Sequence, residues 1–552
     1  MIKNQIEQLV QAAVRKAQEA GELPAAAIPA APIERPQRPE HGDYGTGLAM
    51  RMARAAQMNP LEIANVIVKH IVTNGAFAAV EVAPPGFINF RLSSEWLAGQ
   101  VDEVLTLGPE FGNLSIGAGK RVQVEFVSAN PVGPLHVGNG RGLALGDTLA
   151  RVLAAAGYAV EREYLVNDAG TQTQVFAETL YARYQQLFGR EVEVPEGGYP
   201  GEYVIDLAQK LKEEFGDSLL RPEGEPSPPE VHDRGIQLML ESIRQDLDVI
   251  GVHYDNWFSE RSVYEDGSYE KAMALLRERG CVAEREGAIW FVSTGLGEEK
   301  DNVLVRSTGA PTYFASDIAY HYDKFVTRGF DRVINVWGAD HQGHVPRMKA
   351  AVAALGIDPD RLEIIVYQLV TVKRGDEIIR LSKRAGDIIT VRSIVEEVGA
   401  DALRYNFVTR AADSHMEFDI ELATKQSAEN PVYYVQYAHA RIAGILNGAT
   451  ERGIDYADGD VSLLREDAEL DLIRKMLRLP ELIEQIVTSS EPHQLPYYAT
   501  ELATAFHDFY EKCRVLTDDE ALTKARLKLV FAAKTVLARN LDLMGMSAPE
   551  RM

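Results

Sequence analysis

Cysteine is nearly absent from this chain of 552 residues, which contains only Cys281 and Cys513. Two cysteines are too few for a disulfide framework or a cysteine-based zinc site, so we expect a cytoplasmic protein without a structural metal. Long hydrophobic runs are also missing. No segment approaches the roughly 18 uninterrupted apolar residues of a membrane span, and residues 1–21 form an amphipathic pattern without a signal-peptide core. We therefore expect no membrane partner.

Positive charge is in deficit, with 57 Lys and Arg against 81 Asp and Glu and a net charge of −24. This sum argues against a nucleic-acid partner, but binding depends on the local potential. In a predicted helix over 521–539, apolar residues follow one face while Lys524, Lys528 and Arg539 project from the other. Taken alone, this pattern favours a solvated surface helix over an RNA contact.

The length predicts three or four domains at about 150 residues each. Composition shifts place them at 1–115, 116–395 and 396–552. The first combines helical and strand-like segments, which predicts an α+β domain, and the last is almost wholly helical. A stretch rich in Pro, Gly and Glu at 192–228 predicts an inserted segment of about residues 190–290 in the central domain.

The most informative segment is VQVEFVSANPVGPLHVGN, from Val122 to Asn139. It reads as a buried strand, a tight Pro/Gly turn and the start of a helix, and a second strand follows at 158–166. This order predicts a Rossmann-like α/β domain with a parallel sheet. The free N–H groups and the positive end of the helix dipole at His136, Gly138 and Asn139 would suit phosphates. From the spacing alone, an ordinary strand-to-helix turn without a ligand explains the pattern equally well.

Two other phosphate motifs fail on inspection. A Walker loop ending at Lys120 would need Gly at position 114 and Ser or Thr at 121, where Leu114 and Arg121 stand. The dinucleotide fingerprint starts with Gly138 but has Leu143 where its last glycine belongs. A nicotinamide-dependent enzyme therefore remains a weak alternative.

A basic segment far downstream would complement the helix start. Five cations lie within twelve positions: Lys373, Arg374, Arg380, Lys383 and Arg384. Such a loop could close on a triphosphate, although by itself the pattern favours a solvated basic loop.

Together these motifs resemble a known family. PLHVGN resembles the HIGH signature of class I aminoacyl-tRNA synthetases, and EFVSANPVGPLHVG most resembles arginyl-tRNA synthetases. RLSKR at 380–384 resembles the partner signature KMSKS. Asn139 replaces the second His of the first signature, and Arg380 replaces the first Lys of the second. The resemblance covers nearly the whole chain in the expected order.

The resemblance implies a ligase that activates L-arginine with ATP and Mg²⁺ and transfers it to tRNA(Arg), acting as a monomer and depending on bound tRNA for activation. His136, Asn139 and Lys383 would be catalytic by stabilising charge. The ATP-binding set that it implies is Pro134, His136, Gly138, Asn139, Arg380, Ser382 and Lys383.

A guanidinium is best held by a carboxylate that accepts two parallel hydrogen bonds. The resemblance assigns this role to Asp317, with Tyr313 one turn earlier on the same helix. Alternatively, Tyr313 belongs to the core and Asp317 has a local partner, while His341 and His344 could be metal ligands. The implied arginine-binding set is Glu125, Asn130, Tyr313, Asp317, His341 and Gln342.

The same resemblance implies an N-terminal domain that contacts the tRNA elbow and a C-terminal anticodon-binding domain that begins near Asp401. Exposed rings there could stack on unpaired bases, although an aromatic stripe at helical spacing is more often core. The implied tRNA-binding set is Tyr433, Tyr434, Tyr437, Arg441, Lys524 and Lys528. A second alternative is a catalytically idle relative that binds RNA or senses an amino acid.

Overall fold

The computed structural model describes residues 1–552 except 31, 74, 169 and 380–388. It confirms the predicted fold class, with an α+β N-terminal domain, a parallel-sheet α/β domain and a helical C-terminal domain. Within the described parts of the chain, every helix is too short or too polar to span a lipid bilayer.

The N-terminal domain packs helices on an antiparallel sheet of four strands in the order β1-β2-β4-β3. Its first helix buries Ile6, Val10 and Val14, whose spacing places them on one face. The side chain of Asn59 caps the helix that begins at Pro60, and the side chain of Ser93 caps the helix that begins at Ser94. The elements are α1 (Ile2–Glu19), β1 (Ile33–Glu34), β2 (Tyr44–Thr46), α2 (Leu48–Ala56), α3 (Pro60–His70), β3 (Phe77–Ala83), β4 (Phe87–Leu92) and α4 (Ser94–Leu107).

The central domain contains a parallel sheet of five strands in the order β12-β11-β5-β6-β7. The chain runs outward from β5 through β6 to β7 and then returns to β11 on the other side of β5. Ligands bind in such folds at the carboxyl ends of the strands beside this reversal. The elements are β5 (Arg121–Phe126), α5 (Val137–Ala155), β6 (Ala159–Val166), α6 (Thr171–Gln186), α7 (Glu202–Phe215), α8 (Pro229–Ile250), β7 (Asn256–Ser259), α9 (Ser262–Glu265), α10 (Ser268–Glu278), β8 (Val282–Arg285), β9 (Ala288–Phe291), β10 (Asn302–Val305), α11 (Tyr313–Tyr322), β11 (Arg332–Gly338), α12 (Val345–Ala354) and β12 (Leu362–Tyr367).

The inserted segment is narrower than predicted. Residues 256–259 form β7, which pairs in parallel with β6 and so belongs to the main sheet. Strands β8 to β10 form a separate antiparallel sheet just after it. The Pro/Gly/Glu composition marked the loops around α7 correctly, but it gave no sign that the chain returns to the sheet before residue 290.

The last part begins with a small sheet in the order β14-β13-β15 and continues as helices. Strands β13 and β15 are parallel partners on opposite sides of residue 395, so one sheet spans the predicted domain boundary. The elements are β13 (Val370–Arg374), β14 (Glu377–Ile378), α13 (Val391–Val398), α14 (Ala400–Val408), β15 (Met416–Asp419), α15 (Ile420–Thr424), α16 (Pro431–Glu451), α17 (Asp467–Met476), α18 (Leu479–Ser489), α19 (Gln494–Lys512) and α20 (Glu520–Leu543).

Helix α5 contacts both the parallel sheet and helices of the C-terminal part. A Cβ at Gly142 would lie 2.7 Å from the Tyr367 ring and one at Gly140 would lie 2.8 Å from the Phe407 ring, so both glycines are needed for close packing. The fully buried Arg141 donates to the carbonyl oxygens of Gln368, Ala411 and Ser414, each at 2.8 Å. These bonds tie α5 to the segments that lead into β13 and β15.

Candidate active site

The predicted helix start is confirmed at α5. His136 is the N-cap residue, and its backbone N–H donates to Oδ1 of Asn139 at 3.1 Å. His136 is exposed, and Pro134, Gly138 and Asn139 are partly exposed beside it. The structure therefore brings all four together at the positive end of a 19-residue helix.

The ring of His136 packs closely against the backbone of Gly138 at this helix start. A Cβ there would lie 2.8 Å from Cε1 and 2.9 Å from Nδ1 of the His136 ring. The ring thus lies against bare backbone, and any side chain at 138 would displace it.

The second signature falls on Arg380, Ser382, Lys383 and their neighbours, which lie outside the described residues. Both flanks of that segment are described. On one side, the N–H of Ile379 donates to the carbonyl oxygen of Val372 at 2.9 Å. On the other, Val137 donates to Ile389 at 2.9 Å and Val391 donates to Leu135 at 2.8 Å. The first described residue after the second signature, Ile389, therefore lies directly beside the His136 segment.

A buried ion pair lies at the carboxyl end of β5. Nζ of Lys324 donates to Oε2 of Glu125 at 2.6 Å, and the hydroxyl of Ser128 donates to Oε1 of the same carboxylate at 3.1 Å. Asn335, opposite Glu125 on β11, accepts from the same ammonium at 3.1 Å. Two neighbouring strands thus place polar groups at the predicted edge.

A cavity of about 270 Å³ opens beside α11. Tyr313 lines it and is 52% exposed, so the alternative that Tyr313 is core is wrong. Asp317 lies one turn along the same helix and is partly buried. Burial, followed by the nearby charges of Glu260 and Glu125, raises the pKa of Asp317 to about 7.

Glu260 is the residue that sequence reasoning missed. It is buried, it lines the cavity, and its Oε2 has no hydrogen-bond partner among the described residues. Burial raises the pKa of this carboxyl as well. Glu260 directly follows β7, and the predicted insertion of about residues 190–290 includes this strand.

The remaining predicted amino-acid contacts lie around this edge. Nδ2 of Asn130 donates to Oε1 of Gln172 at 2.7 Å. His341 and Gln342 are exposed on the helical turn that follows β11. Neither is among the described residues that line the cavity. Nδ1 of His344 accepts from Arg347 at 2.7 Å. No group of three potential metal ligands was found in the described residues.

The aromatic cluster on α16 is mostly at the surface. The rings of Tyr433 and Tyr437 stack with centroids 5.8 Å apart, and Tyr437 is 41% exposed. Tyr434 contacts the His507 ring at 5.2 Å, and the Arg441 guanidinium lies 4.4 Å from the centroid of Tyr510. Tyr434 and Arg441 therefore contact rings of α19, and the stacked Tyr433 and Tyr437 lie near them on α16; we call these four side chains the α16 surface.

Lys528 does not project from the surface as predicted. It is 9% exposed, its Nζ donates to the carbonyl oxygen of Gly459 at 3.2 Å, and it forms an ion pair with Asp102 of α4. Helix α4 covers the face that periodicity alone had left open. Lys524 is partly exposed and pairs with Asp458 at 3.2 Å.

Comparisons with known proteins agree with this architecture along the whole chain. Three family models match in order: Arginyl tRNA synthetase N terminal domain at residues 4–92, tRNA synthetases class I (R), catalytic domain at 100–413, and DALR anticodon binding domain at 435–552.

Two curated relatives are similar over nearly their full lengths. The chain is 54% identical over 551 residues to the arginine–tRNA ligase of Dehalococcoides mccartyi, covering 100% of this chain and 99% of the relative. It is 50% identical over 541 residues to that of Carboxydothermus hydrogenoformans, covering 98% and 97%. The solved arginyl-tRNA synthetase of Thermus thermophilus shares the fold with a TM-score of 0.77 and 24% identity over 100% of both chains.

Proposed function

The chain belongs to the arginyl-tRNA synthetase family of class I aminoacyl-tRNA synthetases, and from this premise we propose how its residues divide the reaction among them. It activates L-arginine with ATP to arginyl-adenylate and transfers the arginyl group to the 3′ end of tRNA(Arg) in protein synthesis. A nicotinamide-dependent activity is thereby excluded. One observation carries the proposed roles: the α5 start and a cavity lined by the buried carboxylate of Glu260, with Asp317 on the adjoining helix, lie at the same edge of the parallel sheet.

The start of α5 binds the triphosphate. The positive end of the helix dipole favours the phosphates, the side chains of His136 and Asn139 donate hydrogen bonds as charge develops, and adenine lies near Pro134 and Gly138. The arginine carboxylate attacks the α-phosphate and pyrophosphate leaves, so no side-chain nucleophile is needed. Mg²⁺ bound with the triphosphate would supply additional charge neutralisation.

The second signature supplies the remaining cations. Ile389 is bound beside Val137 and lies six positions after Lys383 in the sequence. Extended chain spans at most about 3.6 Å per residue, so Lys383 has a covalent reach of about 20 Å from that anchor. We assign Lys383 to the charge of the leaving pyrophosphate, and Arg380 and Ser382 to further phosphate contacts.

The carboxylates bind the two positive ends of arginine. Asp317 and Glu260 hold the guanidinium, and the raised pKa of both carboxyls is what a pocket awaiting a cation would produce. Glu125 holds the α-ammonium group at the end of β5, and Asn130 holds the carboxylate. Tyr313 covers the pocket. His341 and Gln342, exposed on the turn after β11, contact the bound amino acid from outside the cavity.

The α16 surface contacts the tRNA. Tyr433, Tyr434 and Tyr437 offer ring faces to unstacked anticodon bases, and Arg441 and Lys524 contact the backbone. The N-terminal domain contacts the tRNA elbow. We further propose that the protein acts as a monomer in the cytoplasm.

ATP–pyrophosphate exchange with each amino acid in turn, with and without tRNA(Arg), tests the proposal. We expect exchange with arginine alone among the twenty, and a strong requirement for tRNA. Exchange driven by another amino acid would reject the pocket assignment. Tight tRNA binding without any adenylate would instead identify a catalytically idle relative.

A further inference from the structure

Lys324 is a fully buried cation that the proposed chemistry does not use. It lies in the π-helical turn Asp323–Thr327, directly after α11. Besides its bonds to Glu125 and Asn335, its Nζ lies 4.0 Å from the centroid of the Tyr320 ring. A buried ammonium is costly unless it is fully paired, and this one is paired to the carboxylate that we assign to the α-ammonium of arginine.

The hydrogen bonds around Lys324 all have their donors on the side nearer to its ammonium group. An ammonium only donates, so the Asn335 atom 3.1 Å from it is the carbonyl oxygen Oδ1. The amide nitrogen of Asn335 then faces Nε2 of His321 at 3.0 Å and donates to it. The proton of the ring is therefore on Nδ1, which donates to the backbone oxygen of Asp317 at 2.7 Å.

The charge state of His321 agrees with this direction. Burial, and then the nearby ammonium of Lys324, lower the pKa of His321 to about 3, so the ring is neutral at physiological pH. A neutral ring has one donor and one acceptor, which are the two roles that the bonds require. The result is a continuous chain of hydrogen bonds from Glu125 through Lys324, Asn335 and His321 to the backbone oxygen of Asp317, which we call the relay.

We propose that Lys324, Asn335 and His321 are positioning residues that fix the separation between Glu125 and Asp317, and thereby set the length of the amino acid that the pocket accepts. This inference rests on the proposed roles of Glu125 and Asp317 at the two ends of arginine. Glu125 is on a strand and Asp317 is on a helix, so nothing in the local backbone sets their distance. The relay joins the two elements through side chains that are all buried.

The predicted consequence is discrimination by length. A site that must satisfy a cation at each end loses one contact when the ligand has one methylene too many or too few. One methylene is worth roughly 10- to 200-fold in specificity, and a misplacement of about 1 Å costs on the order of 100-fold in rate.

The decisive variant is Asn335→Asp. It keeps the shape and still accepts from Lys324, but it cannot donate to Nε2 of His321. Lys324→Met removes the source of the relay. Matched controls are Asn302→Asp, the same change on β10 outside the site, and Lys349→Met, which removes a lysine that donates to the carbonyl oxygen of Pro359 at 2.6 Å.

The measurement is tRNA-dependent ATP–pyrophosphate exchange with arginine, with homoarginine, which is one methylene longer, and with norarginine, which is one shorter. We expect the unmodified protein to prefer arginine at least tenfold in kcat/KM. Asn335→Asp should reduce that preference tenfold or more, mainly through the KM for arginine, with the KM for ATP changed less than twofold. The two controls should keep the preference.

An equal loss with all three amino acids would overturn the inference, because it indicates general damage. So would an unchanged preference in folded Asn335→Asp protein. If neither variant folds, the relay is needed for the fold and the inference is also rejected. Failure of the proposed function is a separate result, because the unmodified protein would then show no arginine-dependent exchange.

Discussion

The part of the site that we assign to ATP (the ATP half) and the part that we assign to arginine (the amino-acid half) are built from different kinds of groups. The ATP half depends mainly on backbone features, to which the side chains assigned to ATP are added: a helix start, the bare Gly138, and main-chain hydrogen bonds that join 135–137 to 389–391. The amino-acid half consists of ionisable side chains, chiefly the buried Glu125, Lys324 and Glu260 and the partly buried Asp317. Phosphates are favoured by a helix dipole that is part of the fold, whereas a guanidinium is bound by carboxylates, which must be ionised to pair with it. The two halves should therefore respond to different perturbations.

The largest expected effect is in the amino-acid half, for Asp317→Asn. Removing one partner of a desolvated charge pair costs about 2 to 5 kcal/mol. We therefore expect kcat/KM for arginine to fall by about 30-fold to several thousand-fold, through KM, while the KM for ATP stays nearly constant. Steady-state exchange with each substrate varied in turn measures both values.

Glu278→Gln is the control for this loss, because it neutralises an exposed carboxylate on α10 outside the pocket. It should leave both KM values unchanged. Equal increases in the KM values for arginine and ATP in Asp317→Asn would contradict the separation of the two halves.

In the ATP half, Gly138→Ala should reduce exchange without reducing stability. Alanine is favoured over glycine in a helix by about 1 kcal/mol, but its Cβ would displace the His136 ring, which lies 2.8 Å from that position. A displacement of about 1 Å predicts a loss in kcat of up to 100-fold with an unchanged KM for arginine. Exchange kinetics and thermal unfolding together measure the two effects.

Gly99→Ala makes the same change in α4, where a Cβ meets nothing within 4 Å. It should show the gain in stability without the loss of activity. If Gly138→Ala kept full activity, the contact between Gly138 and the His136 ring would have no part in the reaction.

This contrast also explains what the sequence could predict. His136, Gly138 and Asn139 lie within four positions, and a strand, a turn and a helix start are local patterns, so the sequence predicts the helix start that we assign to ATP. Lys324 and Asn335 act on Glu125 from about 200 residues away in sequence, and no local pattern signals such a relay. Lys528 was placed on the wrong surface because periodicity identifies a helix face but not the neighbouring helix that covers it.

The smallest expected effect is a pH dependence confined to the amino-acid half. The pKa of Asp317 is raised to about 7 by burial and by the charges of Glu260 and Glu125, against the opposing charges of Arg347 and Lys324. Below pH 7 the carboxyl in the free protein is therefore mostly protonated and cannot pair with a guanidinium. Between pH 6 and pH 8 the ionised fraction rises from about one tenth to about nine tenths.

The KM for arginine should accordingly fall about tenfold from pH 6 to pH 8, while the KM for ATP should not follow the same curve. The sign for stability is opposite. A carboxyl whose pKa is raised by folding stabilises the free protein at low pH, and this contribution is lost as the pH rises through 7. Bound arginine neutralises the ionised carboxylate, so the rise in the unfolding temperature produced by arginine should be larger at pH 8 than at pH 6. Asp317→Asn should abolish both dependences; if it retained them, the titrating group would have to be sought elsewhere, with Glu260 as the first candidate.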